Sequence, residues 1–154
     1  MEVDCRSPRG IYFRRATNAR GVVRFPDGRA VRGTGVRRRR RGMEAPEFAV
    51  YLLRKDPRIH AWPYRWVEWP DFRVPAHTLD AVAALREAHE RAVSERVEIA
   101  CGGGTGRTGT ALACLAVLDG VPAEDAVAFV RRHYRPRAVE TRWQRRFVLR
   151  FGKG

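Results

Sequence analysis

A glycine-rich turn between a short strand and a helix constrains this chain more than any other feature. The segment Val97–Thr110 reads VEIACGGGTGRTGT, and four of the six residues in Cys101–Gly106 are glycine. Val97–Ala100 is a β-type run, and a helix is predicted to start at about Thr108. Glycine frees the backbone N–H groups of such a turn to converge on one anion, and the helix start adds unpaired donors and a positive dipole end. The sequence therefore predicts a phosphate-binding loop.

Two side chains give this loop a chemistry. Arg107 can bind two phosphate oxygens in bidentate fashion, and its charge together with the helix start favours the thiolate of Cys101 over the thiol. Cys101 would then be a nucleophile below a bound phosphate. No Gly-Lys-Ser/Thr sequence follows, which excludes a Walker phosphate loop. A dinucleotide-binding fingerprint is possible only in a loose sense, because no acidic residue that could bind a ribose is evident. Cys114, on the apolar face of the next helix, is expected to be a buried structural residue.

The rest of the chain predicts an α/β fold in which a central mixed sheet is flanked by helices and carries a β-rich N-terminal addition. The predicted extended segments are a hairpin of Val22–Phe25 and Arg29–Arg32 around Pro26–Gly28, and strands at Phe48–Leu53, Tyr64–Trp69 and Val97–Ala100. The first predicted helix has its N-cap at Thr78 and presents Val82, Leu85 and Val93 on one face. Three further helices are predicted at Thr108–Asp119, Pro122–His133 and Thr141–Phe151. Gly33–Gly35 and the arginines after it are predicted to form a loop.

The chain is strongly basic, with 31 basic and 17 acidic side chains and a net charge of +14. All but two of the basic residues are arginine, which GC-rich coding produces without selection for a ligand. The run Arg37–Arg41 is expected to be a solvated loop, with a nucleic-acid or anionic-surface contact as the alternative. Because the run has no interleaved aromatic residues and no zinc-finger or RNP-like signature occurs, nucleic acid is not expected as a partner, although it is left open.

Apolar runs and cysteine spacing indicate a cytoplasmic protein without a membrane span. The longest unbroken apolar run, Ala111–Leu118, has eight residues, whereas a membrane-spanning helix needs about 20. The first residues lack the apolar stretch of a secretory signal. None of the three cysteines occurs in a metal-binding spacing, so we expect no metal and no other cofactor.

At its glycine loop the chain resembles the protein tyrosine phosphatase superfamily, whose signature is Cys-x-x-Gly-x-x-Arg-Ser/Thr. Three stretches carry the resemblance. Cys101–Thr110 (CGGGTGRTGT) matches the signature, Trp69–Pro75 (WPDFRVP) is similar to the mobile acid loop, and Val139–Phe147 (VETRWQRRF) is similar to the glutamine-bearing loop that positions water. The resemblance implies a single phosphatase-like domain over residues 1–154, with a β-rich part at 1–60 and the catalytic core at 61–154.

The resemblance also implies a role for each matching residue. Cys101 would attack phosphorus, Asp71 would protonate the leaving phenolate and then deprotonate the attacking water, Thr108 would donate a hydrogen bond to the sulfur, and Gln144 would help to place the water. The implied catalytic residues are Cys101, Arg107, Asp71, Thr108 and Gln144. The implied phosphate-binding residues are Gly102, Gly103, Gly104, Thr105, Gly106 and Arg107. No metal is needed, because the guanidinium and the amides carry the electrostatic stabilisation.

Two positions depart from the family pattern. Ala100 stands where the family usually has histidine. Glu140 stands in place of a water-positioning glutamine, and a carboxylate there would repel a bound phosphate unless it were protonated or paired with an arginine. These departures leave a phosphate-binding pseudophosphatase open as an alternative, although a mere binder would not need Asp71. A rhodanese-type sulfurtransferase would not need it either.

The substrate that the resemblance favours is phosphotyrosine in a protein or peptide, on the strength of WPDFRVP. A dual-specificity or non-protein phosphatase remains the alternative. The loop between Cys101 and Arg107 contains no lysine or arginine, which argues against a highly phosphorylated inositol.

Overall fold

The computed structural model describes residues 20–39, 42–151 and 153, which form a five-stranded sheet and four α-helices. The strands are β1 (Val22–Arg24), β2 (Ala30–Gly35), β3 (Phe48–Leu53), β4 (Tyr64–Glu68) and β5 (Val97–Cys101). A 3-10 turn, Val36–Arg38, follows β2. The helices are α1 (Thr78–Arg91), α2 (Gly106–Leu118), α3 (Ala123–His133) and α4 (Arg142–Phe151).

The sheet is mixed, as the sequence predicts. Its strand order is β1-β2-β5-β3-β4. The predicted hairpin forms the antiparallel pair β1–β2, with Val22 opposite Arg32, and Gly28 takes φ +95° in the turn. The other three pairings are parallel. The N-terminal strands are therefore part of the central sheet, because β2 lies directly beside β5 and brings Gly35 opposite Cys101.

The two faces of the sheet follow the alternation of side chains along each strand. Buried side chains of all four helices join one large apolar core with Val50, Leu52 and Ile99 from the strands. A smaller cluster on alternate positions contains Ala49, Tyr51 and Ala100, and part-buried Trp62 packs against it. Ala100 therefore lies in a small apolar cluster, at the position where the resembling family has histidine.

The loop predicted at Gly33–Gly35 is wrong, because these residues continue β2 and are buried. Glycine is a weak strand former, but close approach of other elements requires it here. A Cβ added to Gly33 would lie 2.7 Å from the Tyr134 ring, and one added to Gly35 would lie 2.5 Å from the backbone of Gly103. The glycines thus let β2 run against the cysteine loop.

Several helix boundaries also differ from the prediction. Thr78 is the first residue of α1, and His77 occupies the N-cap without a side-chain hydrogen bond. Val93, predicted on the same face as Leu85, is 51% exposed because α1 has already ended at Arg91. Pro122 is the N-cap of α3 rather than a residue of its first turn. The helix predicted to start at Thr108 starts at Gly106, so Arg107 lies in its first turn.

The arginine run is more closely attached to the sheet than a solvated loop would be. Arg37 and Arg38 lie in the 3-10 turn. Arg39 donates a 2.5 Å hydrogen bond to the carboxylate of Glu98, which is fully buried on β5 and also pairs with Arg32 at 2.7 Å. Residues 40 and 41 lie outside the described part of the chain. Among the described helices none is both long and apolar enough to cross a membrane.

Candidate active site

The cysteine loop occupies the carboxyl end of β5 and runs directly into α2. Cys101 is the last residue of β5 and is 2% exposed. Gly104 has φ +82°, and a Cβ there would lie 2.5 Å from the backbone nitrogen of Gly35. The turn therefore requires glycine at this position both for its backbone conformation and for its contact with β2.

Three carbonyls of the loop, those of Gly102, Gly103 and Gly104, each accept a hydrogen bond from a donor outside the loop. The backbone N–H of Arg37 donates to Gly102 at 3.3 Å, Arg135 Nη1 donates to Gly103 at 3.2 Å, and the Tyr134 hydroxyl donates to Gly104. In a trans peptide the carbonyl and the following N–H point in opposite directions. The amides of residues 103–105 therefore face the inside of the loop.

One of these inward amides shows what the loop can bind. The Gly104 N–H donates to Cys101 Sγ at 3.1 Å. A ring of N–H donors around a sulfur at the start of a helix stabilises negative charge, both on a thiolate and on phosphate oxygens above it. The loop thus brings the predicted nucleophile together with N–H groups that can bind an anion.

Arg107 contacts the acid loop at Trp69 and at Asp71. Arg107 is 6% exposed, and its Nη1 donates to the carbonyl of Trp69 at 3.0 Å. Its Nε is buried without a hydrogen-bond partner among the described residues and lies 3.5 Å from Asp71 Oδ1, an ion-pair contact rather than a hydrogen bond. A buried donor without a partner is unusual and is the kind of group that a bound oxygen would satisfy. Asp71 itself is half exposed.

Thr108 is fully buried in the first turns of α2. Its hydroxyl donates to the carbonyl of Thr34 on β2 at 3.3 Å. A hydroxyl carries one hydrogen, so in this arrangement it is used on β2 and not on the Cys101 sulfur. The role of Thr108 at the sulfur stays a prediction that requires the hydroxyl to rotate.

Gln144 joins two loops around the site. Its Oε1 accepts hydrogen bonds from the backbone of Glu140 at 2.9 Å and of Thr141 at 3.2 Å, and its Nε2 donates to the carbonyl of Arg73 in the acid loop at 3.2 Å. The side chain is fully buried. Gln144 therefore positions both loops here, and its role in placing water stays a prediction.

Glu140 lies against the start of α2. A Cβ added to Gly106 would collide with its carboxylate, so the glycine leaves the room that Glu140 occupies. The residue before it, Val139, has φ +65°, and in the acid loop Phe72 has φ +61° next to Asp71. Left-handed backbone at non-glycine residues is costly and concentrates at functional loops. Both loops beside Cys101 thus carry a strained residue next to a predicted site residue.

Three residues of the site were missed by sequence reasoning. Arg37, Tyr134 and Arg135 hold the loop carbonyls from segments far away in the chain. Burial raises the pKa of the Tyr134 phenol, so its hydroxyl remains a protonated donor at neutral pH. No local sequence pattern marks such contacts. The only available signal is that these three residues have polar side chains beside apolar segments, which can indicate a hydrogen-bond partner elsewhere in the fold.

Replacing Arg135 by alanine is expected to lower kcat/KM on para-nitrophenyl phosphate about tenfold and to weaken competitive inhibition by inorganic phosphate. The reason is that Arg135 also donates to Thr105 Oγ1 at 3.0 Å and so fixes two points of the loop. Arg137→Ala removes the same charge from an exposed residue in the same linker and is the control. Equal losses in both variants would attribute the effect to net charge instead of loop geometry.

The comparisons with known proteins agree with this architecture. The sequence model of the family "Protein-tyrosine phosphatase" matches residues 38–151. Uncharacterized protein MJ0215 of Methanocaldococcus jannaschii is 35% identical over 127 residues, covering 70% of this chain and 78% of that protein. Among solved structures, Tk-PTP in its active form has a TM-score of 0.61 and 27% identity, over 70% of this chain and 79% of that one. PTPMT1 in complex with PI(5)P shares the fold, with a TM-score of 0.54, 14% identity and coverage of 70% and 76%.

The structure places the cysteine loop between the central strand β5 and the buried helix α2. The family match extends over well more than half of the chain, from the arginine run to the end of α4. The chain belongs to the protein-tyrosine phosphatase family and is an enzyme of the phosphatase type.

Proposed function

We propose that this chain hydrolyses phosphate monoesters through a phosphocysteine on Cys101, with phosphotyrosine in proteins or peptides as the substrate. The observation that supports it most directly is the contact of Asp71 with Arg107, the arginine that follows the cysteine loop at the start of α2. A phosphate bound there would satisfy the unpartnered Nε of Arg107 and the inward amides.

The reaction has two steps that conserve atoms and charge. The Cys101 thiolate forms the S–P bond as the ester P–O bond breaks, and Asp71 gives its proton to the departing oxygen. Asp71 then takes a proton from water as the water oxygen attacks phosphorus and the S–P bond breaks. Inorganic phosphate and the thiolate are the products. Arg107 and the loop amides stabilise the charge on the equatorial oxygens throughout.

The substrate is tested with matched peptides. We expect kcat/KM for a phosphotyrosine peptide to exceed that for the same peptide with phosphoserine by at least about tenfold. The reason is that Cys101 is nearly inaccessible at the surface, so the phosphate must extend inward to reach it. The phosphotyrosine side chain is longer than that of phosphoserine and can span this distance. Release of inorganic phosphate is the measurement. Faster cleavage of a polyol or nucleotide phosphate would overturn phosphotyrosine as the substrate while leaving the chemistry intact.

A non-protein phosphate ester is the second candidate. Arg37 supplies a cation beside the loop that the loop sequence itself does not contain. The residues between Cys101 and Arg107 contain no lysine or arginine, but Arg37 places a cation beside them that a second phosphate could contact.

A further inference from the structure

The first arginine of the run lies beside the phosphate loop. Gly35 pairs with Cys101 at the end of the sheet, and the 3-10 turn that follows carries Arg37 across to Gly102, where its backbone N–H donates at 3.3 Å. Arg37 is therefore fixed at its backbone, while its side chain is exposed.

The guanidinium of Arg37 faces the same point as that of Arg107. A Cβ carbon at Gly102 would lie 2.7 Å from Arg37 Nη2 and 3.2 Å from Arg107 Nη2. Two like charges this close repel unless an anion lies between or beside them. Gly102 keeps the space between them free of a side chain.

The carboxylates near this point are already used by other groups. Glu98 pairs with Arg32 and Arg39, and Asp71 lies against Arg107. Within the described ranges no carboxylate forms an ion pair with Arg37. As far as the described residues extend, the charge of Arg37 is thus uncompensated next to the phosphate cradle.

The turn that presents Arg37 is anchored on both sides. Arg39, two residues later, is bound to the buried Glu98 and stacks over the Trp62 ring at 4.9 Å. On the other side β2 is buried between β1 and β5. An arginine held by a rigid turn loses less freedom on binding an anion than one on a free loop.

We propose that Arg37 binds a second anionic group, a phosphate or a carboxylate, that the substrate carries next to the phosphate to be cleaved. This rests on the proposed phosphatase function of the loop and adds a preference among its substrates. Two guanidinium groups converging on one point suit two anionic groups on one small molecule or on one short peptide segment.

The test compares substrates with one and two anionic groups. Phenyl phosphate and ortho-carboxyphenyl phosphate differ only by the carboxylate beside the ester. We expect Arg37→Ala to lower kcat/KM for the carboxylated ester about tenfold more than kcat/KM for phenyl phosphate, mainly through KM. The variant keeps the backbone N–H that binds Gly102, so the difference between the two esters reports the guanidinium. Arg37→Lys should restore part of the loss, because it keeps the charge without the planar fork.

Two further arms identify the source of the second anion. One compares phosphotyrosine peptides with and without flanking acidic residues, and the other compares an inositol monophosphate with an inositol bisphosphate phosphorylated on neighbouring carbons. An Arg37-dependent preference in either arm supports the proposal and names the source. Arg150→Ala, an exposed arginine in the last turn of α4, is the charge control.

Equal losses for one-anion and two-anion substrates, or no loss for either, would overturn the proposal. Failure of the phosphatase function itself would look different. In that case wild-type protein would cleave none of these esters, or Cys101→Ser would cleave them as well as the wild type does.

Discussion

Cys101→Ser is expected to lower kcat on para-nitrophenyl phosphate by at least about 10⁴-fold, while the protein still folds and binds phosphate. Serine fits the nearly closed site of Cys101 with little change in volume, and the Gly104 N–H can donate to its oxygen as it does to the sulfur. The hydroxyl, however, is hardly ionised at neutral pH, and none of the hydrogen bonds described for the loop supplies a base to activate it. Release of para-nitrophenol in excess substrate measures the loss.

Cys114→Ser is the matched control for this prediction. Cys114 is the other described cysteine and is fully buried on α2. Burial raises the pKa of its thiol, so it remains protonated and is not a nucleophile. Any loss in this variant should follow its loss of thermal stability. Turnover by Cys101→Ser at a rate close to that of the wild type would contradict the phosphocysteine mechanism.

Asp71→Asn is expected to lower kcat/KM, which reports the first step, for a phosphotyrosine peptide by about 10²–10³-fold, because tyrosine leaves poorly without a proton. With para-nitrophenyl phosphate the leaving group departs unaided, so the first step should slow much less and breakdown of the intermediate should become limiting. The side chain is half exposed, and its Oδ1 accepts a hydrogen bond from the Phe72 N–H at 3.0 Å and lies 3.5 Å from Arg107 Nε. The fold should tolerate the amide, because its oxygen can keep both contacts. Steady-state kinetics of wild type and variant on both substrates give the ratio of the two losses in kcat/KM.

Asp80→Asn, an exposed carboxylate in the first turn of α1, controls for the charge change. The prediction depends on the contrast between leaving groups. A loss of kcat/KM of the same size on both substrates would mean that Asp71 organises the site without protonating the leaving group.

Local pattern was sufficient for most of the fold. The hairpin turn at Gly28 and the continuous apolar run of β3 are properties of neighbouring residues, and both occur where the sequence predicts them. Gly33 and Gly35 were misassigned because their strand conformation depends on pairing with β5, more than sixty residues away. Val93 was misassigned because helical periodicity was extended past the end of α1.

The candidate site divides in the same way. Cys101, Gly104 and Arg107 lie in one short segment between a strand and a helix, so local sequence is enough to predict that they lie in one turn. Tyr134 and Arg135 could not be found, because hydrogen bonds to backbone carbonyls leave no spacing in the sequence. Such contacts are determined by tertiary packing, which brings the end of α3 to the loop.

The position of Arg37 beside the cysteine loop could not be predicted from charge and composition alone. In a chain with so many arginines, one more in a run carried no information about position. The buried Glu98 could have raised the question, since a carboxylate inside a strand requires a cationic partner. Its partner Arg39 is what ties the run to β5 beside the site.

The most direct test of the central claim is rapid-quench analysis of Asp71→Asn with para-nitrophenyl phosphate. With hydrolysis slowed, we expect a burst of about one para-nitrophenol per enzyme molecule. Intact-protein and peptide mass spectrometry should then locate one phosphoryl group on Cys101. Absence of a burst together with slow steady turnover, or a phosphoryl group on any other residue, would contradict a phosphocysteine at this loop.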